Sequence, residues 1–434
     1  MTPTPTTAAL TRTGAAALAI TTSAVLLTGC TGGFGFGNKH KNASPSTAAT
    51  ASVDVSALDT GSYPTSPRPE FGKPDDDEIA NVEGQRMAQF TLVPFEIDPD
   101  LTRVAMPNGV IGSQGATSAM FSKELREVPA NAKIMTGFVA TAATPQDQLR
   151  SGVDRSVNNA VLRYVTAEDA TQAAQQMAQA GAAGDGASTV TLPGLPDTLA
   201  VQKVTGDDSS LMTFTPHDDY VLYQWYGTTK NEQDKQIPTL TKSIKAQADL
   251  IDKFPKTLTK AEAAEKGVTG STRPEMDQNK ILIYALPYSD QELKDGMAND
   301  SGASRAVYGP RGMAMRSTDP RGDYDLLTSV GAVNTAVDKS NVYRASTPEG
   351  AAKIVDSFVN DQKSSGASPI ASPKGLSDAK CFKASGTMGS TYFYCLVQNG
   401  RYVGEVSAES EKDVDQRTSA QYVILTKADQ STPN

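Results

Sequence analysis

Histidine, cysteine and tryptophan are scarce in this chain of 434 residues, which has two, three and one of them respectively. With only His40 and His217, a serine or cysteine nucleophile has almost no imidazole base to activate it, and no Gly-x-Ser-x-Gly elbow occurs. Gly309-Pro310-Arg311-Gly312 lacks the lysine and spacing of a phosphate-binding loop. Basic charge is also short: 40 Lys and Arg face 49 Asp and Glu, a net charge of −9, which argues against nucleic acid or an anionic membrane as an electrostatic partner. The sequence therefore offers no catalytic residue, no metal set and no cofactor motif.

What it does have begins at the N-terminus. A weakly basic start with Arg12 leads into the apolar run Ala15 to Leu27, too short for a comfortable permanent bilayer span. The run ends in Leu27-Thr28-Gly29-Cys30, which resembles the lipobox of bacterial lipoproteins. That resemblance implies cleavage before Cys30, lipidation of Cys30 and an extracytoplasmic protein held to the cell membrane by its N-terminal lipid, two acyl chains sufficing for stable anchoring. Residues 1–29 are then a signal peptide. Residues 30–53 follow as the lipidated cysteine and a flexible Gly/Ser/Thr/Ala-rich tether, in which His40 is merely solvated. With Cys30 lipidated, Cys381 and Cys395 remain, and an oxidising compartment permits their disulfide. Two buried free thiols are the alternative.

The body is built from an internal duplication. Arg163-Tyr164-Val165-Thr166-Ala167-Glu168-Asp169-Ala170 compares with Arg344-Ala345-Ser346-Thr347-Pro348-Glu349-Gly350-Ala351 at an offset of 181, and the same offset sets Gly194-Leu195-Pro196-Asp197 on Gly375-Leu376-Ser377-Asp378. In each copy a strand leads to a Thr N-cap and a helix, then to three strands and a closing helix. The strands span 199–204, 211–215 and 220–227 in the first copy and 380–384, 391–397 and 401–408 in the second. The ungapped offset lays the Asn399-Gly400 hairpin turn, Gln398 to Arg401, on His217 to Tyr220, and matches Cys381 and Cys395 to Ala200 and Phe214. Leu240, Ile244, Ala248 and Ile251 mark one closing helix, opened by Pro238; Val414, Thr418, Tyr422 and Leu425 mark the other. The fold class is α+β, with two related domains, each an antiparallel sheet packed with helices. The domains are drawn at 54–259 and 260–434, with the break in the helical and turn-rich stretch 260–274.

Before each copy the reading is coarser. Pro64, Pro67 and Pro69 make residues 58–71 an extended strap, packed through Leu58, Tyr63 and Phe71. Asp75-Asp76-Asp77-Glu78 reads as charge at the start of a helix over 79–89. A strand is predicted over 132–141 and another over 280–286. His217-Asp218-Asp219 reads as turn chemistry, Arg321-Gly322-Asp323 as a turn, and Arg305, Arg311, Arg316 and Arg321 as solvated surface. The aromatic run 220–226 places Tyr223 and Trp225 on one face. Core packing is the plainer account of them, and a ligand groove between sheet and helix is the alternative.

Leu58-Asp59-Thr60-Gly61-Ser62-Tyr63-Pro64-Thr65-Ser66-Pro67-Arg68 and Glu83-Gly84-Gln85-Arg86-Met87-Ala88, together with the lipobox, resemble a family of actinobacterial lipoproteins from mycobacteria, nocardiae, gordoniae and relatives. The resemblance covers nearly the whole mature chain and implies an envelope location and paired domains. It carries no activity and no catalytic residue. The expectation is a non-enzymatic envelope lipoprotein that binds a small ligand or an envelope protein. An envelope hydrolase with a carboxylate or Ser-Lys site and a structural role in envelope assembly are the rivals.

Overall fold

Two seven-stranded antiparallel sheets share one strand order. The computed structural model describes residues 53–104, 108–289, 291–292, 305–385 and 390–434; the expected signal peptide, Cys30, His40 and all but the last residue of the expected tether lie outside them. The first sheet comprises β1 (Gly109–Val110), β2 (Ile134–Ala143), β3 (Ser156–Tyr164), β4 (Ala187–Val190), β5 (Leu199–Thr205), β6 (Asp208–His217) and β7 (Tyr220–Thr229). The second comprises β8 (Ala306–Tyr308), β9 (Thr335–Val337), β10 (Ser340–Arg344), β11 (Ser368–Ile370), β12 (Lys380–Ser385), β13 (Thr391–Asn399) and β14 (Tyr402–Ala408). In space they run β1-β2-β3-β7-β6-β5-β4 and β8-β9-β10-β14-β13-β12-β11. The α+β expectation holds, and the repeat extends two strands further upstream than the sequence motifs.

The helices used below are α1 (Ile79–Met87), α2 (Pro94–Ile97), α3 (Ala167–Ala182), α4 (Gln236–Ile251), α5 (Lys260–Glu265), α6 (Pro310–Ala314), α7 (Pro320–Ser329), α8 (Pro348–Ser364) and α9 (Glu411–Leu425). Helices α3 and α8 start alike: Thr166 accepts from the Asp169 amide and Thr347 from the Gly350 amide, each at 3.1 Å. Pro238 sits in the first turn of α4 rather than before it, where its missing N–H is no loss.

The ungapped register needs a correction. Val161 pairs with Leu222 and Val342 with Gly404, so the offset is 181 on β3 but 182 on β7. The extra residue lies in the β12–β13 connection: Ser385 pairs with Thr391 where Val204 pairs with Ser209. The hairpin turn Gly400-Arg401 therefore matches Asp218-Asp219. The pair Cys381 and Cys395, opposed on β12 and β13, matches the opposed pair Ala200 and Thr213, not Phe214.

A buried glutamine ties each closing helix to its sheet. Gln247 donates to the Phe90 carbonyl at 2.8 Å and accepts from the Leu92 amide at 2.9 Å and the Asn159 amide group at 3.0 Å. Gln421 donates to the Tyr284 carbonyl at 2.9 Å and accepts from the Leu286 amide at 3.3 Å and the Ser340 hydroxyl at 2.6 Å. Both glutamines are fully buried, so every polar atom needs these partners. The tie also explains a missed strand: residues 280–286 contain the 3-10 turn Leu282–Tyr284, the counterpart of the turn Ala88–Phe90.

The two halves meet in one apolar cluster that joins Phe95, Phe138 and Phe254 to Tyr308, Met313 and Leu327. Arg311 makes two bonds to Glu96, at 3.0 and 2.9 Å, and Arg321 stacks over Phe95. These arginines are thus bonds between the halves rather than solvated surface. The strap packs, as expected, but on the second half: Leu58 joins the cluster of Leu376 and Val414, and the Tyr63 hydroxyl donates to Asp413 at 2.6 Å. Among the described residues no helix is long and apolar enough to cross a membrane.

Candidate functional site

Arg163 is the penultimate residue of β3 and only 1% exposed. Its partner across the sheet is Tyr220, which opens β7, so the preceding turn brings Asp219 to the guanidinium. Asp218 adopts φ +49° to close that turn. Nε of Arg163 bonds Asp219 at 2.9 Å, Nη1 donates to the Thr257 carbonyl at 2.7 Å, and Nη2 reaches Glu262 at 3.3 Å. Lys256 bridges Asp219 and Glu262 at 2.9 and 3.0 Å. Glu83, from α1, lies 3.5 Å from Arg163, accepts from the Thr257 amide at 2.7 Å and pairs with Arg86. Three cations thus meet three carboxylates, which is the condition under which charge tolerates burial. Burial opposes ionisation of Glu262, but the Thr259 amide and Lys256 hold its carboxyl down at about 2.

This network floors a cavity of about 1220 Å³ between α1, the ends of β2 and β3, and the segment 256–273 that includes α5. Ile79, Met135, Val165, Leu258 and Val268 give it apolar walls. Val165 and Val268 are each 46% exposed, and both lie on this lining. Exposed apolar side chains gathered around a concavity mark a place where something else is buried.

The sequence-derived candidates fall elsewhere. Tyr223 and Trp225 share a face, as alternation required, but not a groove. Tyr223 is 2% exposed, edge-on to Phe121 at 4.7 Å and tilted against Phe214 at 5.4 Å. Trp225 is half-buried and walls a separate cavity of about 260 Å³ beside Lys203 and Asp208. Cys381 and Cys395 form a disulfide with Cα atoms 4.2 Å apart. Arg321-Gly322-Asp323 is not a turn but lies in the first turn of α7. His217 bonds Asp252 at 2.6 Å on the rim of the β6–β7 hairpin. Among the described residues no group of three or more His, Cys, Asp or Glu is placed to hold a metal ion.

Sequence reasoning passed over Arg163 as a site residue. The one available signal was that an arginine stands at the last or next-to-last position of the strand in both copies, at 163 and 344, and both prove almost fully buried. Arg344 is held by neutral acceptors, the Asn279 carbonyl at 2.9 Å and the Asn434 side chain at 3.0 Å, with its guanidinium near the Tyr402 ring.

No curated protein matches the chain. Among solved structures it is similar to the extracellular domain of PknH from Mycobacterium tuberculosis, at 12% identity and a TM-score of 0.25, over 41% of this chain and 99% of that one. Two family models match: the N-terminal domain of unknown function DUF7373 over residues 70–264 and its C-terminal domain over residues 286–428. Each falls on one of the two sheets, and between them they leave out chiefly the residues before 70. The chain belongs to the DUF7373 family and carries both of its domains.

Proposed function

We propose that this is a membrane-tethered extracytoplasmic lipoprotein, anchored through Cys30, that binds an apolar or amphipathic small ligand in the cavity above Arg163. The observation that carries the reading is the cavity itself, apolar on its walls and self-neutralised on its floor. A ligand entering it covers Val165 and Val268 and gains roughly 25 cal/mol per Å² of apolar area removed from water. Binding rather than hydrolysis is supported because each buried carboxylate of the floor already has a cation. The lipobox supports the anchor, and the strap gives the tether a firm attachment: Arg68 pairs with Asp338 and its amide donates to the Ile283 carbonyl at 2.9 Å.

Mass spectrometry of the protein isolated from its own membrane tests both parts. The expected N-terminus is a lipid-modified Cys30; a chain still starting at Met1 overturns the anchor. Extraction of bound molecules should yield an apolar ligand, reduced at least tenfold in Val165→Asp/Val268→Asp, about 1.4 kcal/mol or more of lost affinity. Equal yields from both proteins overturn the cavity as the seat.

A further inference from the structure

A second cavity, of about 440 Å³, lies in the other half between the second sheet and helices α7 and α8. Its floor is the sheet face of Asn341, Tyr343, Tyr394 and Glu405, and Phe358 of α8 closes one side. In the first half the matching positions are Ala160, Leu162, Met212 and Tyr223, with Met177 on α3, and all five belong to one apolar core cluster. The same frame therefore holds packed apolar side chains in one copy and a polar, open space in the other. Polar groups in a core position cost stability unless something answers them.

What answers them within the chain is incomplete. Glu405 accepts from the Tyr343 hydroxyl at 2.7 Å and from Asn341 at 2.8 Å. Asp319, Asp323 and Asp361 line the same space, and none of these four carboxylates forms an ion pair among the described residues. The single cation on the lining, Arg316, stacks over Tyr308 at 5.5 Å. The carboxylates are spread around the cavity rather than gathered at metal-ligand distance. Three rings, of Tyr343, Phe358 and Tyr394, complete the walls. Carboxylates combined with aromatic faces in a space of small-molecule size suit an organic cation better than a bare metal ion.

We propose that this cavity binds a small organic cation, an ammonium or guanidinium on a compact apolar body, with Glu405 and Asp323 as its counter-charges and the rings of Tyr343, Phe358 and Tyr394 around the body. The site is independent of the apolar cavity in the first half. Burial and the neighbouring carboxylates Asp361, Glu405 and Asp319 push the Asp323 carboxyl up to about 6. An incoming cation relieves that repulsion, so its affinity falls as the pH drops from 7.5 to 5.

Titration calorimetry of the full chain with benzylamine, benzyl alcohol and calcium chloride tests the proposal. The expected result is saturable benzylamine binding, no measurable benzyl alcohol binding, and no displacement of benzylamine by calcium. Glu405→Gln keeps acceptors for Tyr343 and Asn341 while removing the charge, and should weaken benzylamine at least tenfold with unchanged circular dichroism. Asp323→Asn should weaken it several-fold and abolish the loss between pH 7.5 and 5. Absence of benzylamine binding, equal binding of the alcohol, calcium displacing the amine, or unchanged affinity in Glu405→Gln would each overturn it.

Discussion

The two halves repeat a frame and diverge in what they do with buried charge. Around Arg163 every buried carboxylate has a cation, and the space beside them is apolar. In the second half Arg344 has only neutral acceptors, while four carboxylates face a cavity with no ion pair of their own. The strand order, the threonine caps and the glutamine ties are common to both, because each satisfies backbone groups that any version of this fold must bury. Charge placement is not required by the frame, so it is where a difference between the halves has a functional meaning. The disulfide follows the same logic: Cys381 and Cys395 staple a hairpin in the half whose sheet face carries Asn341 and Glu405 in place of apolar side chains, and the other half has Ala200 and Thr213 there.

The largest test of the comparison removes each arginine. Arg163→Met leaves Asp219, Glu83 and Glu262 short of a cation in a buried place and should cost about 3–5 kcal/mol. Arg344→Met leaves neutral acceptors unpaired and takes a nearby cation from the buried Asp277 carboxyl, which three backbone amides still hold, and should cost about 1–3 kcal/mol. Urea unfolding followed by circular dichroism measures both. Equal losses would mean that the two arginines serve the frame alike and that the charge contrast is incidental.

A smaller effect sharpens what is shared. Gln247→Ala strands the Leu92 amide and the Phe90 carbonyl, at about 2 kcal/mol, while Gln421→Ala strands the Tyr284 carbonyl but leaves the Leu286 amide on the Ser340 hydroxyl at 2.8 Å, so the two losses should agree within about 1 kcal/mol with Gln421 the smaller. A tie that mattered in only one half would break the claim of a common frame. These glutamines also mark the limit of what the sequence discloses. Hydrophobic spacing and cap residues give the strands, helices and the duplication, since those depend on residues close in the chain. Gln247 bonds to residues 90 and 92, more than 150 positions away, and such pairing has no local signature. The strand expected at 280–286 failed for that reason: its apolar run is real, but the tie to Gln421 holds it as a turn. The site was less legible still. Tyr223 stood out by residue type, yet the position that differs between the halves is visible only once the one-residue shift sets Tyr223 against Glu405.

The smallest expected change has an unusual sign. Asp323 titrates at about 6 in the folded protein, above its ordinary 3.8, so folding favours its protonated form. The stability this contributes is present below about pH 4 and is lost as the pH rises through 6. At pH 7 the charged, buried carboxylate is a liability, and Asp323→Asn should stabilise the chain by roughly 1–3 kcal/mol. Glu262 in the first half behaves oppositely: held at about 2, it contributes stability at neutral pH that is lost as the pH falls from its ordinary 4.5 through that value. Thermal unfolding of both proteins from pH 4 to 8 reads the difference, with the curves converging at the acid end and parting above pH 6. If Asp323→Asn is destabilising at pH 7, the carboxylate is already answered by the protein, and the second cavity has no charge waiting for a partner. If it stabilises, the second half holds a carboxylate that the fold would be better off without, which is the usual mark of a residue kept for binding.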